Sequence, residues 1–375
     1  MKKTWAVALK ELRQIGRDPF SLVMLLGLPA FMLVLYGFAL NFDVRHVALA
    51  VQDLDKSASS RELVAAFVNS TYFEVTATPE PDADLGALTE RRVAKAVIVV
   101  PEGYGAELAA GRTGEVQLLL DGADASTATT ILGYAGTLIS EANAEALRRT
   151  LLRGGRAGTP LGIAYEPRVW YNPELSSTRF LVPGLIGFLL MLTAVLSTAL
   201  SVVREKERGT IEQIRVAPVH TVQLILGKTL PYLGISLLAT VIILAAARLL
   251  FGVAVKGPYL DLLLATLIYL IGALGFGLLI STLADSQALA FQLGLLTSML
   301  PAILLSGFIF QIRTMPDWLQ AVTRIVPARY YLVILRGIII KGSDLSPYWD
   351  QMGFLALFAV VVVTLASLRL SRHEA

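Results

Sequence analysis

Cysteine is absent from all 375 residues. Disulfides, thiolate metal centres and cysteine nucleophiles are thereby excluded, and any domain outside a membrane is held by its apolar core alone. Histidine is nearly as scarce. His46, His220 and His373 lie far apart in unrelated contexts, and no H-E-x-x-H or paired-carboxylate pattern occurs. Charge is the third shortage: Asp, Glu, Lys and Arg make up 16% of the chain against 55% hydrophobic residues, and mean hydropathy is +0.64. A soluble chain of this length needs a more polar surface, so the expectation moves to a membrane protein.

What is present in quantity is charge-free sequence. Phe20–Leu40, Phe180–Val203, Leu262–Ala284, Ser286–Ile312 and Gln351–Leu368 contain no Asp, Glu, Lys or Arg. At ~1.5 Å per helical residue each run crosses a hydrocarbon core of ~30 Å. Thr229–Ala247, entered through Lys228 and left through Arg248, makes a sixth. The expected spans are therefore 20–40, 179–203, 222–248, 261–284, 286–312 (long enough to tilt or to break at Pro301) and 350–370. The first is too long for a signal-peptide core and lacks a small-x-small cleavage site. Ahead of it, in residues 1–19, Trp5, Ala8, Leu9, Leu12 and Ile15 recur at helical steps, with Lys10, Arg13 and Arg17 on the other side. This reads as an amphipathic helix lying on the membrane, or more plainly as a basic flank. Either way the basic residues place the N-terminus inside, and six spans bring the C-terminus back to the cytoplasm. Segment 313–350 argues against this topology, because Arg313, Arg324, Arg329, Arg336 and Lys341 would lie outside. Its residues 313–341 read instead as short apolar helices that dip back into the outer leaflet, buried against protein.

Residues 41–178 follow different rules. Val47–Val51, Phe73–Thr76, Ala96–Val100 and Val116–Leu120 are short β-rich runs. They alternate with helical patterns at Ser57–Asn69, Asp82–Arg92, Glu102–Gly111 and Ala125–Arg153. The expected fold is thus a polytopic α-helical membrane protein with six transmembrane helices, both termini cytoplasmic, and an inserted extracytoplasmic α/β domain. Asp53, Asp55, Asp121 and Asp124 follow strands, where Asp is more often a turn former or cap than a metal ligand; no metal site is expected.

A search for chemistry returns little. L-G-K-T at Leu226–Thr229 resembles the end of a phosphate-binding loop, but Val222 stands where the first glycine belongs. G-A-L-G-F-G at Gly272–Gly277 lies within a span and reads as helix packing. The spans are bare of the ionisable groups that proton- or ion-driven carriers use, so energy must come from outside this chain. Pro29, Pro183, Pro231 and Pro301, with glycines such as Gly184, Gly187 and Gly307, serve either hinge movement or close packing. One dense cluster remains, R-E-K-E-R-G-T-I-E-Q-I-R-V-A-P in the internal loop 204–221. By composition it is a solvated mixed-charge linker or a docking surface for a partner.

Taken in order along the chain, these features resemble the permease subunits of ABC-2 (type V) exporters, nearest to the bacterial multidrug-export branch with a large extracytoplasmic domain. The resemblance rests on the loop motif, V-P-G-L at Val182–Leu185, G-K at Gly227–Lys228, S-G-F-I-F-Q-I-R-T-M-P at Ser306–Pro316 and I-V-P-A-R-Y-Y at Ile325–Tyr331. It implies that Arg204, Glu205, Lys206, Glu207, Arg208, Gly209, Thr210, Glu212 and Gln213 form a coupling helix that docks in an ATPase groove. Glu205, Glu207, Arg208 and Glu212 would be its docking charges. Trp5, Leu9, Leu12 and Arg13 would belong to a connecting helix, and 313–341 to re-entrant helices. Gly184, Gly187, Ser306, Gly307 and Phe308 would lie at a pore or dimer interface, with spans 2 and 5 moving across it. The chain itself would bind no cofactor and catalyse nothing; ATP and Mg would sit on two partner ATPase subunits. A second permease, identical or related, and the lipid membrane complete the implied partners, with room for a periplasmic adaptor and none for nucleic acid. The implied location is the bacterial cytoplasmic membrane and the implied cargo hydrophobic or amphipathic small molecules. The competing class is a membrane sensor or assembly scaffold that uses its outer domain for binding. Against it, no internal segment is large enough to be an output domain.

Overall fold

The protein is described from a computed structural model, covering residues 2–39, 46–91, 93–121, 125–153, 176–209 and 221–372. It divides into two compact units, residues 42–173 and the remainder.

The larger unit is helical: α1 (Lys2–Arg17), α2 (Pro19–Leu22), α3 (Leu28–Ala39), then α8 (Ser177–Glu207), α9 (Thr221–Phe251), α10 (Tyr259–Ser281), α11 (Gln287–Gly294), α12 (Leu300–Leu304), α13 (Asp317–Thr323), α14 (Pro327–Arg336) and α15 (Trp349–Arg372). Among the described residues five stretches are long and apolar enough to cross a membrane: Ser177–Glu207, Ile225–Phe251, Tyr259–Ser281, Gln287–Leu304 and Ser346–Leu370. The first expected span is also helical, from Pro19 to Ala39, but a π-helical turn at Val23–Gly27 separates α2 from α3. A second π turn, Leu295–Met299, separates α11 from α12. Both are followed by Leu-Pro, at Pro29 and Pro301. Proline clashes with the carbonyl four residues back, and one extra residue in the turn relieves that clash.

Helix α8 is the hub, packing against α3, α9, α10, α11 and α14. Its apolar window is 83% buried, against 22% for Gln287–Leu304. Span 2 is thus enclosed largely by the chain's own helices. The glycines of Gly272–Gly277 explain the tight contact between α10 and its neighbours. A Cβ on Gly275 would come within 2.7 Å of Val363 in α15, and one on Gly277 would overlap the Val195 carbonyl of α8. Thr198 closes the second contact by donating to the Leu274 carbonyl at 2.9 Å.

The fifth span is shorter than its sequence suggests. Its helix stops at Leu304, and Gly307 takes a left-handed φ of 81°. Carbonyls of the turn that follows are held by Arg336. Its guanidinium donates to Gly307 O at 2.9 Å, to Phe308 O at 3.2 Å and to Phe180 O at 3.5 Å, and lies 3.9 Å over the Phe180 ring. Arg329 is likewise spent, donating to Thr323 and to the Gln320 carbonyl. Two of the cations that argue against the six-span topology are therefore structural fasteners. Gly184, Gly187, Ser306 and Phe308 are also committed within the chain. Phe308 is buried over Gly184, where any Cβ would strike its ring, and Leu332 lies against Gly187. Ser306 donates to Ala302 O. Tyr331 stacks on Tyr269 at 4.0 Å, and Tyr269 donates to Gly187 O at 2.8 Å. Gly307 makes the bend. Within the chain, Gly184, Gly187, Ser306 and Phe308 are buried and Gly307 is partly exposed at the bend.

In the smaller unit, β1 (Val47–Asp53), β2 (Phe73–Ala77), β3 (Ala96–Val100) and β4 (Gln117–Leu120) form one sheet in the order β2-β1-β3-β4. β1 runs parallel to β2 and β3; β4 is antiparallel to β3. Helices α4 (Ala58–Val68) and α7 (Ala125–Arg153) pack one face through Leu63, Phe67, Ile131 and Leu138. Helix α5 (Leu85–Glu90) covers the other through Leu85 and Leu88. Burial on both faces is why β3 reads A-V-I-V-V without polar alternation. The strand-end aspartates hold turns. Asp53 accepts from Lys56 N at 2.9 Å and from Ser60 Oγ at 2.8 Å. Asp55 accepts from Gly103 N and Gly105 N at 2.9 and 3.0 Å, where helix α6 (Tyr104–Ala109) begins. Asp124 lies outside the described residues.

Candidate functional site at the C-terminal end of helix α8

The described part of the charged cluster continues helix α8. Residues 204–207 are the last turn of α8, and Arg208 and the left-handed Gly209 (φ 68°) end it. Thr210, Glu212 and Gln213 lie outside the described residues. Each charge in that last turn is anchored within the chain. Lys206 donates to Ser281 O and Ala284 O at 3.0 and 3.1 Å, so a cation neutralises the C-terminal end of α10. Glu207 accepts from the backbone N–H of Gln287 at 2.7 Å and from its side-chain amide, placing an anion at the N-terminus of α11. Arg204 pairs with Asp18 at 3.5 Å and donates to Gln287 Oε1 at 3.3 Å.

Glu205 differs most from expectation. Read as a docking charge facing water, it is only 5% exposed. Its Oε1 is 2.5 Å from Lys10 Nζ and its Oε2 is 2.5 Å from Lys228 Nζ. Lys228 is 3.3 Å from Glu11 Oε1, and Glu11 is 3.6 Å from Lys10. The four side chains thus form a closed ring of alternating charge, drawn from α1, α8 and α9. The physical reason is that α1 folds back along α9. Gly227 permits this approach, since a Cβ there would come within 2.7 Å of Val7 and 3.0 Å of the Thr4 carbonyl. Lys228, read as the doorway of the third span, is 4% exposed and Glu11 2%. Burial works against the charge on Lys10, but the hydrogen bond and charge of Glu205, with Glu11 behind, outweigh it and hold Lys10 above its usual range.

Helix α1 accordingly has three faces where its sequence suggested two. Ala8, Glu11 and Ile15 are buried against the chain. Trp5 and Leu12 stay 64% and 51% exposed, with Leu9 half-buried beside them. Lys3, Arg13 and Arg17 make the exposed basic side. Sequence reasoning missed Lys10, Glu11 and Lys228. The available signal was a glutamate on the apolar side of α1 and a Gly-Lys step inside an apolar helix.

Of the four expected docking charges, then, Glu205 is buried, Glu207 is occupied and Glu212 lies outside the described residues. Arg208 is exposed, and among the described residues it has no side-chain partner.

This arrangement positions a loop; among the described residues no group of three or more acidic or histidine side chains could hold a metal. Comparison with known proteins fits that character. The model of the ABC-2 family transporter proteins matches residues 19–368. The chain belongs to the ABC-2 transporter family. This ABC-2 protein is 29% identical over 99% of its length to the probable multidrug ABC transporter permease YbhS of Escherichia coli, covering 97% of that protein. It is 30% identical to the probable multidrug permease YbhR of the same organism, over 93% of each chain. It is 27% identical to the inner membrane transport permease YhhJ, over 98% of this chain and 97% of that one.

Proposed function

We propose that this ABC-2 protein is the permease subunit of an ATP-driven exporter that moves hydrophobic or amphipathic small molecules out of the cytoplasm or inner membrane. In this reading Pro19–Ala39 and the five longer apolar stretches are six spans. Both termini and the 204–221 loop face the cytoplasm, and the α/β unit lies outside. ATP and Mg are held by two separate ATPase subunits, and a second permease completes the pathway. The observation that carries the reading is the end of α8. Arg204 to Glu207 brace the loop's root against α1, α9, α10 and α11, while Arg208 and Gly209 are exposed. A braced root with an exposed tip delivers an outside force to the bundle. The relatives named as multidrug permeases support the cargo class.

Glu207 is a poor place to test docking, because its reversal would also strip the N-terminus of α11. Arg208 is the clean position. Arg208→Glu should leave membrane insertion unchanged and weaken ATPase association about thirtyfold or more, as loss of a desolvated interfacial charge pair does. Association of unchanged strength would remove the loop tip from the interface and favour the sensor or scaffold class.

A further inference from the structure

We infer that the ring Lys10–Glu205–Lys228–Glu11 is a rigid joint, through which α1 and the facing ends of α8 and α9 move as one body. The inference rests on the coupling role proposed for the 204–221 loop and adds how a push on that loop is transmitted. Three observations carry it.

First, the ring is closed. Each carboxylate touches two ammonium groups and each ammonium two carboxylates, at 2.5 to 3.6 Å. Shifting any one helix alone therefore stretches two pairs at once, in a setting where Glu11, Glu205 and Lys228 are each 5% exposed or less. Lys10 is half exposed, so its two pairs are partly screened. Separating Lys228 from Glu205 and Glu11, however, leaves charges that are neither screened by water nor easily re-solvated. Second, the helices beside the ring have no slack. Gly227 already brings α9 against Val7 and the Thr4 carbonyl. Third, the surroundings tie the same body at two more points: Ser201 Oγ donates to Glu11 Oε2 at 3.5 Å, and Arg204 pairs with Asp18 just beyond α1.

The places that can yield lie outside this body. α1 ends at Arg17, Asp18 leaves the helical path, and the π turn Val23–Gly27 follows within one further turn. On the other side Gly209 stands at φ 68°. Displacement of the loop is thus carried by α1 into α2 and α3, with bending taken up at residues 18–27. Lys10, Glu11, Glu205 and Lys228 are positioning residues in this scheme and touch no cargo.

The test uses the absence of native cysteine. Spin labels are placed at Gly16→Cys and Arg208→Cys, both exposed, in the full chain assembled with its ATPase in lipid nanodiscs and diluted with unlabelled chain. The inter-label distance distribution is recorded by electron paramagnetic resonance, without nucleotide and after vanadate trapping of ATP. The joint predicts one narrow distribution, unchanged by trapping. In Glu11→Gln/Lys228→Met, which removes one anion and one cation together, it predicts a distribution roughly twice as wide that shifts on trapping. A shift in the otherwise unaltered chain, or a double variant as narrow as that chain, overturns the inference. Failure of the loop's coupling role would show separately, as absence of nucleotide trapping on the assembled complex. The nucleotide-free widths would still decide the joint in that case.

Discussion

The two ends of α8 are fastened by opposite means. At its C-terminal end, Glu205 sits in a ring of four charges that cancel, all from side chains. At its N-terminal end, the Phe180 carbonyl and ring share one guanidinium, Arg336, with the carbonyls of Gly307 and Phe308. The first arrangement joins three helices in register and fails if any member is removed. The second holds the turn beyond α12, where the carbonyls of Gly307 and Phe308 lie outside any helix and would otherwise be unpaired. Side-chain rings lock bodies together; backbone clamps let a chain turn a corner. The difference suits a bundle pushed at one end and opening at the other.

That contrast breaks most visibly at Lys228. Lys228→Met leaves Glu11 and Glu205 facing each other with only Lys10 between them, so stability should fall by about 3–5 kcal/mol, the cost of stranding a buried charge. The Glu11→Gln/Lys228→Met pair should recover most of it. A denaturation cycle in detergent, comparing the single and double variants, measures the coupling. Arg336→Lys should cost less, about 1.5–3 kcal/mol, because an ammonium keeps the charge but cannot reach three carbonyls and stack on Phe180. Proteolysis between residues 305 and 316 reads the loosened turn.

The smallest effect lies in the α/β unit, where the partly exposed Asp55 ties the turn after β1 to the start of α6. The Ser57 side chain, and then the amides of Gly105 and Gly103, hold the Asp55 carboxyl below its ordinary range. Its contribution is therefore present above the unfolded carboxylate pKa and is lost as pH falls through the depressed folded value. Hydrogen exchange at Gly103–Ala109 in the intact chain should quicken on acidification, and Asp55→Asn should remove that dependence. A pH response unchanged by Asp55→Asn would show that another group sets it.

How much of this could be read from the sequence depends on how far apart the partners are. Apolar runs and strand patterns are local, so the long helices and the four strands fall close to where periodicity places them. A-V-I-V-V at Ala96–Val100 needed no tertiary knowledge. The end of the fifth span did, because Leu305–Ile312 is as apolar as the helix before it, and only Gly307 with Arg336 shows that the chain turns. The burial of Glu205 is hidden from the sequence for the same reason. Its partners stand 195 and 23 positions away, and nothing local in R-E-K-E-R says that α1 returns to cover it. The third-span lysine looked like a boundary because lysine usually is one, whereas the glycine before it is what lets a second helix bury it.

The central claim is that an ATPase seats on the loop beyond α8. The direct measurement is a single cysteine at Arg208→Cys in this cysteine-free chain, treated in cells with a short thiol cross-linker, the captured protein then identified by mass spectrometry. The account predicts an ABC-type ATPase joined at that position. Capture of only proteins without a nucleotide site, with the cysteine shown to be reactive, would contradict it.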